Sequence, residues 1–341
     1  MSDAKIISLT PIEEVFSITW NLHKRCNNDC MYCGDFLHDQ VSPVSSLETL
    51  QGHWQQIFEK TKHIGRLYKI SFTGGEPVIN KNFMPFVRWL ASNYGQYLNS
   101  LRLTSNGTAS KNYYLEIFRD LTSLTLSTHT ESLDVERFID TAIACNQYSK
   151  SVPSKIFMVN IMEEYWALDT IKYLIDTFKA NDIKFSVSKI NYTRNGARNY
   201  PVFIVNKQKT HKQDLAISSE FVNNTHQAIQ DYLNLNKIPE DTFYNVKVTY
   251  ENNNDINTYA ARLNFLGLNK FKNWQCYAGL HRINISSTGE VFSGECYNES
   301  LGYLTDNSFA LRTGPGTCKL ETCTNNPDDI MIKKQAPTGN I

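Results

Sequence analysis

The chain has 341 residues, 41% of them hydrophobic, enough to bury a large core with a smaller unit beside it. Lys plus Arg and Asp plus Glu both number 34, so no bulk field favours nucleic acid, a membrane surface or acidic substrates. Met1 to Pro11 lacks the basic start and long apolar run of a signal peptide, and no stretch has the apolar length of a membrane span, so a cytoplasmic protein is expected.

From Phe16 to about Ile190 short strand-like runs alternate with helix-like runs, the pattern of parallel α/β architecture. The predicted strands are Phe16 to Leu22, Lys69 to Thr73, Leu101 to Thr104, Leu124 to Thr128, Lys155 to Ile161 and Ile183 to Ile190. Between the first two, Leu47, Leu50, Trp54, Ile57 and Phe58 form one helical face, opened by a capping box of Ser45 and Glu48. Later stripes are Tyr113, Tyr114, Ile117 and Phe118, then Val135, Phe138, Ile139 and Ala142, then Leu168, Ile171, Leu174, Ile175 and Phe178. Six βα units are fewer than the eight of a closed barrel, so 12–190 is expected to form an open, partial barrel.

Past Ile190 the alternation stops. Residues 191–273 read as a connector with a helix near Ser219 to Leu233, a strand near Val246 to Tyr250 and a loop at Asn252 to Asn254. Residues 274–334 hold four cysteines and a hairpin-like stretch from Arg282 to Phe292, as in a small metal-stapled domain; 335–341 is a tail.

In a reducing compartment the eight cysteines are metal ligands or redox groups before they are disulfides. Cys26, Cys30 and Cys33 are separated by three and then two residues, directly after the first predicted strand. Three thiolates on one loop suit an Fe–S cluster or zinc. In a cubane they leave one iron without a protein ligand, open to a chelating molecule.

This C-x3-C-x2-C spacing, with the aromatic Tyr32 before the last cysteine, resembles the signature of the radical S-adenosylmethionine (radical SAM) superfamily. Thr73-Gly74-Gly75-Glu76-Pro77, at the end of the second strand, is similar to that family's GGEP motif. The resemblance implies that its backbone and carboxylate receive the amino group of SAM; glycines permit close backbone approach and a carboxylate pairs with an ammonium. Ser105 and Asn106 resemble the segment contacting SAM's ribose and carboxylate, and Ser127 and Asn160 sit at strand ends where barrel ligands bind. The family's chemistry implies a 4Fe-4S cluster that chelates SAM and cleaves it reductively to methionine and a 5′-deoxyadenosyl radical, with an electron from flavodoxin or ferredoxin.

Cys276, Cys296, Cys318 and Cys323, spaced around the hairpin, resemble the auxiliary domains called SPASM and twitch. Four cysteines fit the shortened twitch form and imply a second, auxiliary 4Fe-4S cluster without an open iron, although four thiolates satisfy zinc equally well. Cys145 lies within the helix from Val135 to Gln147 and reads as a buried thiol without a role. His23, His38, His129, Asp35 and Asp39 are read as ordinary core or surface residues, and no catalytic base is assigned.

The fold expected is therefore a partial (β/α)6 TIM-like radical SAM barrel followed by a small twitch-like Fe–S domain. The implied substrate is a peptide or protein side chain, or a small molecule such as a sugar or nucleoside derivative. About fifteen residues precede the first predicted strand, short for a leader-peptide module, so a peptide would be held by the barrel mouth, the connector or a separate partner. Two alternatives stand beside this. One is an Fe–S electron carrier or redox sensor, which has no need of Glu76, Ser105 and Asn106; the other is a molybdopterin-type cyclase, disfavoured by a Thr338 to Ile341 ending without paired glycines.

Overall fold

The computed structural model describes residues 5–30, 32–33, 38–190, 204–205, 208–209, 219–235, 246–258, 263, 268–297, 299–323 and 332–335. A first strand absent from the sequence reading, β1 (Ile6–Pro11), precedes the barrel. The six expected strands and their helices follow: β2 (Phe16–Asn21), α1 (Leu47–Thr61), β3 (Tyr68–Thr73), α2 (Phe83–Tyr94), β4 (Leu98–Ser105), α3 (Lys111–Ile117), β5 (Ser123–Thr128), α4 (Val135–Ser151), β6 (Ile156–Glu163), α5 (Leu168–Ala180) and β7 (Phe185–Lys189). Beyond them lie β8 (Ile204–Val205), β9 (Gln208–Lys209), α6 (Ser219–Leu235), β10 (Val246–Tyr250), β11 (Asp255–Thr258), β12 (Gln275–Cys276), β13 (Arg282–Ile285), β14 (Glu290–Phe292), β15 (Ser300–Tyr303), β16 (Gly316–Thr317) and β17 (Lys333–Lys334).

The strands β2 to β7 pair in parallel and in sequential order, the arrangement that a helix between each pair allows. One face of this sheet is apolar. Ile18, Ile70, Phe72, Leu124, Leu126, Val159 and Ile161 are fully buried on it and join Trp54, Phe86, Ile117, Ala142 and Ile175 of the helices in one core. Trp20 and Phe86 meet edge to face with ring centroids 5.4 Å apart, fixing α2 on β2. Cys145 is buried in the same core, where burial pushes its thiol up to about 12, as befits an inert side chain.

The helix caps follow local chemistry. Ser46, one residue later than the sequence reading placed it, caps α1 by accepting from Thr49 N at 3.2 Å, because Leu47 is already helical. Asp134 does the same for α4 by accepting from Arg137 N.

The expected hairpin forms as β13 and β14, turning at Gly289 with φ +81°. It extends the barrel's own sheet: β13 pairs in parallel with β2 from Arg282–Ser17 to Ile285–Trp20, giving the order β15-β14-β13-β2-β3-β4-β5-β6-β7. Residues read as a separate module thus complete one edge of the barrel sheet. The physical reason is that β2, at the start of the parallel run, has an edge that β13 pairs, while Ile283 and Ile285 extend the buried apolar face begun by Ile18 and Trp20. A second, antiparallel sheet runs β11-β10-β1-β17-β12-β16. In it β1 lies between β10 and β17, and Asn252 to Asn254 form the turn joining β10 to β11.

Candidate functional site

The cysteine loop leaves the C-terminal end of β2 and is closed at its neck by backbone bonds. Cys26 N donates to Asp39 O at 2.7 Å and Asp39 N to Lys24 O at 2.9 Å. The Asp39 carboxylate accepts from Val41 N and Ser42 N, and the Ser42 bonds hold it below the usual carboxylate range, so its role is to close the loop. Asp35, the other loop carboxylate noted in the sequence, lies outside the described residues.

The Gly74–Gly75–Glu76 turn at the end of β3 packs against this neck. Gly75 N donates to His23 O at 2.7 Å and Glu76 N to Arg25 O at 2.9 Å. A Cβ on Gly75 would stand 2.1 Å from Arg25 O, and one on Gly74, whose φ is +121°, 2.7 Å from His23 O. The close approach of the cysteine loop's backbone requires glycine at both positions.

Glu76 is anchored at the end of this turn. It is 1% exposed, and its carboxylate accepts from Ser105 Oγ at 2.8 Å, Val78 N at 3.2 Å and Asn106 N at 2.6 Å. Burial pushes its pKa up to about 7 against the effect of those donors. Ser105 Oγ also meets Tyr114 of α3 at 2.6 Å, so Glu76 and Ser105 tie the ends of β3 and β4 to the helical layer. Both side chains hydrogen-bond within the scaffold, as a buried carboxylate needs donors around it.

Asn106 is placed differently. Its Nδ2 donates to Asn27 Oδ1 at 3.0 Å and lies 3.8 Å from Cys26 Sγ, which also accepts from Asn28 N at 3.4 Å. A small cleft of about 70 Å³ opens beside it, lined by Asn28, Asn106, Thr108, His129, Asp134 and Arg137 among others. Ser127 and Asn160 are register partners on β5 and β6; Asn160 Oδ1 accepts from Ser186 Oγ at 3.1 Å and Ser188 Oγ at 2.5 Å on β7.

A polar network missed in the sequence backs the middle cysteine. Cys30 Sγ lies 3.5 Å from His129 Nδ1, which also meets the Tyr32 hydroxyl. Tyr32 OH donates to Glu164 Oε1 at 2.9 Å, and Thr130 N donates to Glu164 Oε2 at 2.8 Å. Burial lowers His129 to about 4, leaving its ring neutral, and raises Glu164 to about 8. The only sequence signal was a carboxylate just past a strand's C-terminal end, a common feature of barrels. His23 is buried behind the loop, and burial lowers its pKa as well. His38 faces Asp29 at 3.4 Å.

Among the described residues, no three His, Cys, Asp or Glu side chains converge closely enough to hold a single ion. The donor set nevertheless suits a cluster. Burial pushes the Cys26 and Cys30 thiols up, so metal would displace their protons, and the donors on Cys26 Sγ favour thiolate once formed.

Three of the four C-terminal cysteines, Cys276, Cys318 and Cys323, lie near a lysine. Cys276 on β12 faces Lys333 on β17 in register, and Lys333 Nζ donates to Cys276 Sγ at 3.3 Å. Burial opposes the lysine's charge, but attraction from Cys323, Cys276 and Cys318 outweighs it and holds its pKa above the ordinary value. Cys318 packs against the small cluster of Cys276 and Ala278. Cys296 is carried by the loop after β14, next to Glu295, whose carboxylate accepts from Arg282 Nη2 at 2.6 Å and Thr19 Oγ1 at 3.0 Å on the barrel side.

No family model matches the chain. A GTP 3′,8-cyclase of Paracoccus denitrificans is 31% identical over 114 residues, 33% of this chain and 32% of that protein. An S-adenosylmethionine-dependent nucleotide dehydratase of Selenomonas ruminantium is 31% identical over 131 residues, 37% of this chain and 43% of that protein. The matched part thus spans less than half the length of either relative. Among solved structures, native anSMEcpe with bound AdoMet and Kp18Cys peptide superposes with a TM-score of 0.52 at 16% identity, over 85% of this chain and 78% of that one, a likeness of fold. No helix among the described residues is long and apolar enough to cross a membrane.

Proposed function

We propose that this chain, a member of the radical SAM superfamily by its fold and motifs, cleaves S-adenosylmethionine reductively at a 4Fe-4S cluster held by Cys26, Cys30 and Cys33. The observation that carries this is the docking of the Gly74–Gly75–Glu76 turn onto the neck of the cysteine loop, which ties the two motifs into one unit. When bound, the cluster and SAM would supply an electron and a carbon radical able to remove hydrogen from a substrate.

The chain's own residues prepare that site. The three cysteines would supply thiolates, and Asn28 N and Asn106 Nδ2 donate to the first of them. Tyr32, pinned by Glu164 and His129, keeps the loop's last turn in place, where Cys33 N bonds Cys30 O at 3.1 Å. Asn106, Ser127 and Asn160 at the strand ends are the groups we assign to SAM, with Gly74 and Gly75 contributing backbone. Glu76 and Ser105 act from behind by fixing the Asn106 segment. Cys276, Cys296, Cys318 and Cys323 are assigned to a second cluster, and a flavodoxin- or ferredoxin-like protein to the supply of electrons.

For the substrate, we favour a small polar molecule such as a sugar or nucleoside derivative. Side chains alternate across each strand, so the face opposite the apolar core carries Ser71, Thr125, Asn160, Ser186 and Ser188, all half-buried, with Met158 and Met162 of β6 the apolar side chains beside Asn160. Closed barrels fill this face with branched apolar side chains, whereas hydroxyl and amide groups suit a hydroxylated guest.

The experiment is anaerobic reconstitution with iron and sulfide, reduction by dithionite, and measurement of 5′-deoxyadenosine. Replacing Cys26, Cys30 and Cys33 with Ala should abolish it. A fully iron-loaded wild type that makes none under any reductant or substrate would overturn the proposal. Deuterium transfer from labelled nucleosides, sugars or peptides to 5′-deoxyadenosine identifies the donor, and transfer from a peptide alone would reject the small-molecule choice.

A further inference from the structure

Lys333 is 2% exposed, and among the described residues no carboxylate forms an ion pair with it. A buried ammonium is expensive unless something negative or strongly polar faces it. What faces this one is sulfur: Nζ lies 3.3 Å from Cys276 Sγ and 5.2 Å from the centre of the Phe271 ring, and Cys318 packs on the same small cluster as Cys276. The placement is built into the sheet, because β17 lies between β1 and β12 and puts Lys333 directly opposite Cys276. The lysine is therefore a fixed charge, unable to swing to solvent as an exposed one would.

We propose that Lys333 is the built-in counter-charge of the C-terminal cysteine site, donating to the Cys276 sulfur and raising the reduction potential of the cluster bound there. This rests on the reading that Cys276, Cys318 and Cys323 ligate an iron–sulfur cluster. Reduction adds one negative charge to a centre that is already anionic. A buried cation stabilises the reduced form more than the oxidised one, and an N–H donated to a ligand sulfur acts in the same direction. In a water-poor setting the effect is not screened as it would be at the surface.

The test uses the full chain carrying Cys26→Ala, Cys30→Ala and Cys33→Ala, so that only the second cluster gives a signal. After anaerobic reconstitution, iron and sulfide are counted and the midpoint potential is read by EPR. Lys333→Met should shift the potential to a lower value at unchanged iron content, and Lys333→Arg should restore it toward the parent. Loss of iron in the Met variant but not in the Arg variant also supports the counter-charge. A potential unchanged in Lys333→Met, a shift as large in Arg as in Met, or equal loss of iron from both overturns it. If the parent itself binds no iron, the second-cluster reading has failed, and that is seen before any Lys333 variant is measured.

Discussion

Gly75 and Arg25 are in contact so close that a single added methyl on Gly75 would stand 2.1 Å from the Arg25 carbonyl oxygen. Two segments separated by fifty residues of sequence, one bearing the cysteines and the other the GGEP-like turn, are thereby set at one fixed distance. The atom in the way is backbone, so relief requires the neck of the cysteine loop to move. Gly75→Ala should destabilise the protein by roughly 1–3 kcal/mol, the usual cost of overpacking, and should lower iron retention by the first cluster together with SAM affinity. Iron analysis and SAM titration check this; weakened SAM binding at full iron occupancy would instead place Gly75 against the ligand.

A pH effect is expected in the metal-free protein. Glu164 is fully buried, and burial raises its pKa from 4.5 to about 8. Between those values the folded state holds a proton that the unfolded state has released, so stability falls as pH rises through this window and the contribution is fully present below it. Glu76, raised from 4.5 to about 7, adds to the same slope. Urea melts of wild type and Glu164→Gln at about pH 5 and pH 8 should show a smaller pH-dependent loss in the variant. Equal losses would mean that Glu164 ionises in the folded protein without penalty.

Removing a C-terminal ligand should separate the two clusters. With both sites filled, the cubane stoichiometry gives about eight irons per chain, and Cys318→Ala should retain about four. Cys276 and Cys318 lie beside the two-residue strands β12, β16 and β17, outside the main core, so cysteine loss should also make that part of the chain sensitive to protease. SAM cleavage without substrate should persist in part, while product formation falls further. About four irons and one zinc in the wild type would reduce this site to a structural staple.

The sequence by itself determined the α/β alternation, the six strands to within three residues and the order of cluster-like and SAM-like motifs along them. Each of these is local: side-chain period, glycine and cysteine spacing are properties of short windows. Tertiary structure alone decided which groups the motif residues face. Glu76 turns to Ser105 and the Asn106 N–H, Gly75 to Arg25, and Tyr32 to His129 and Glu164. It also decided that β13 completes the barrel sheet beside β2 and that Lys333 sits opposite Cys276. These partners lie tens to hundreds of residues apart. They are selected by burial, since a carboxylate, an ammonium or a strand edge shut away from water must be satisfied by whatever the fold brings against it, and no short window of sequence says what that will be.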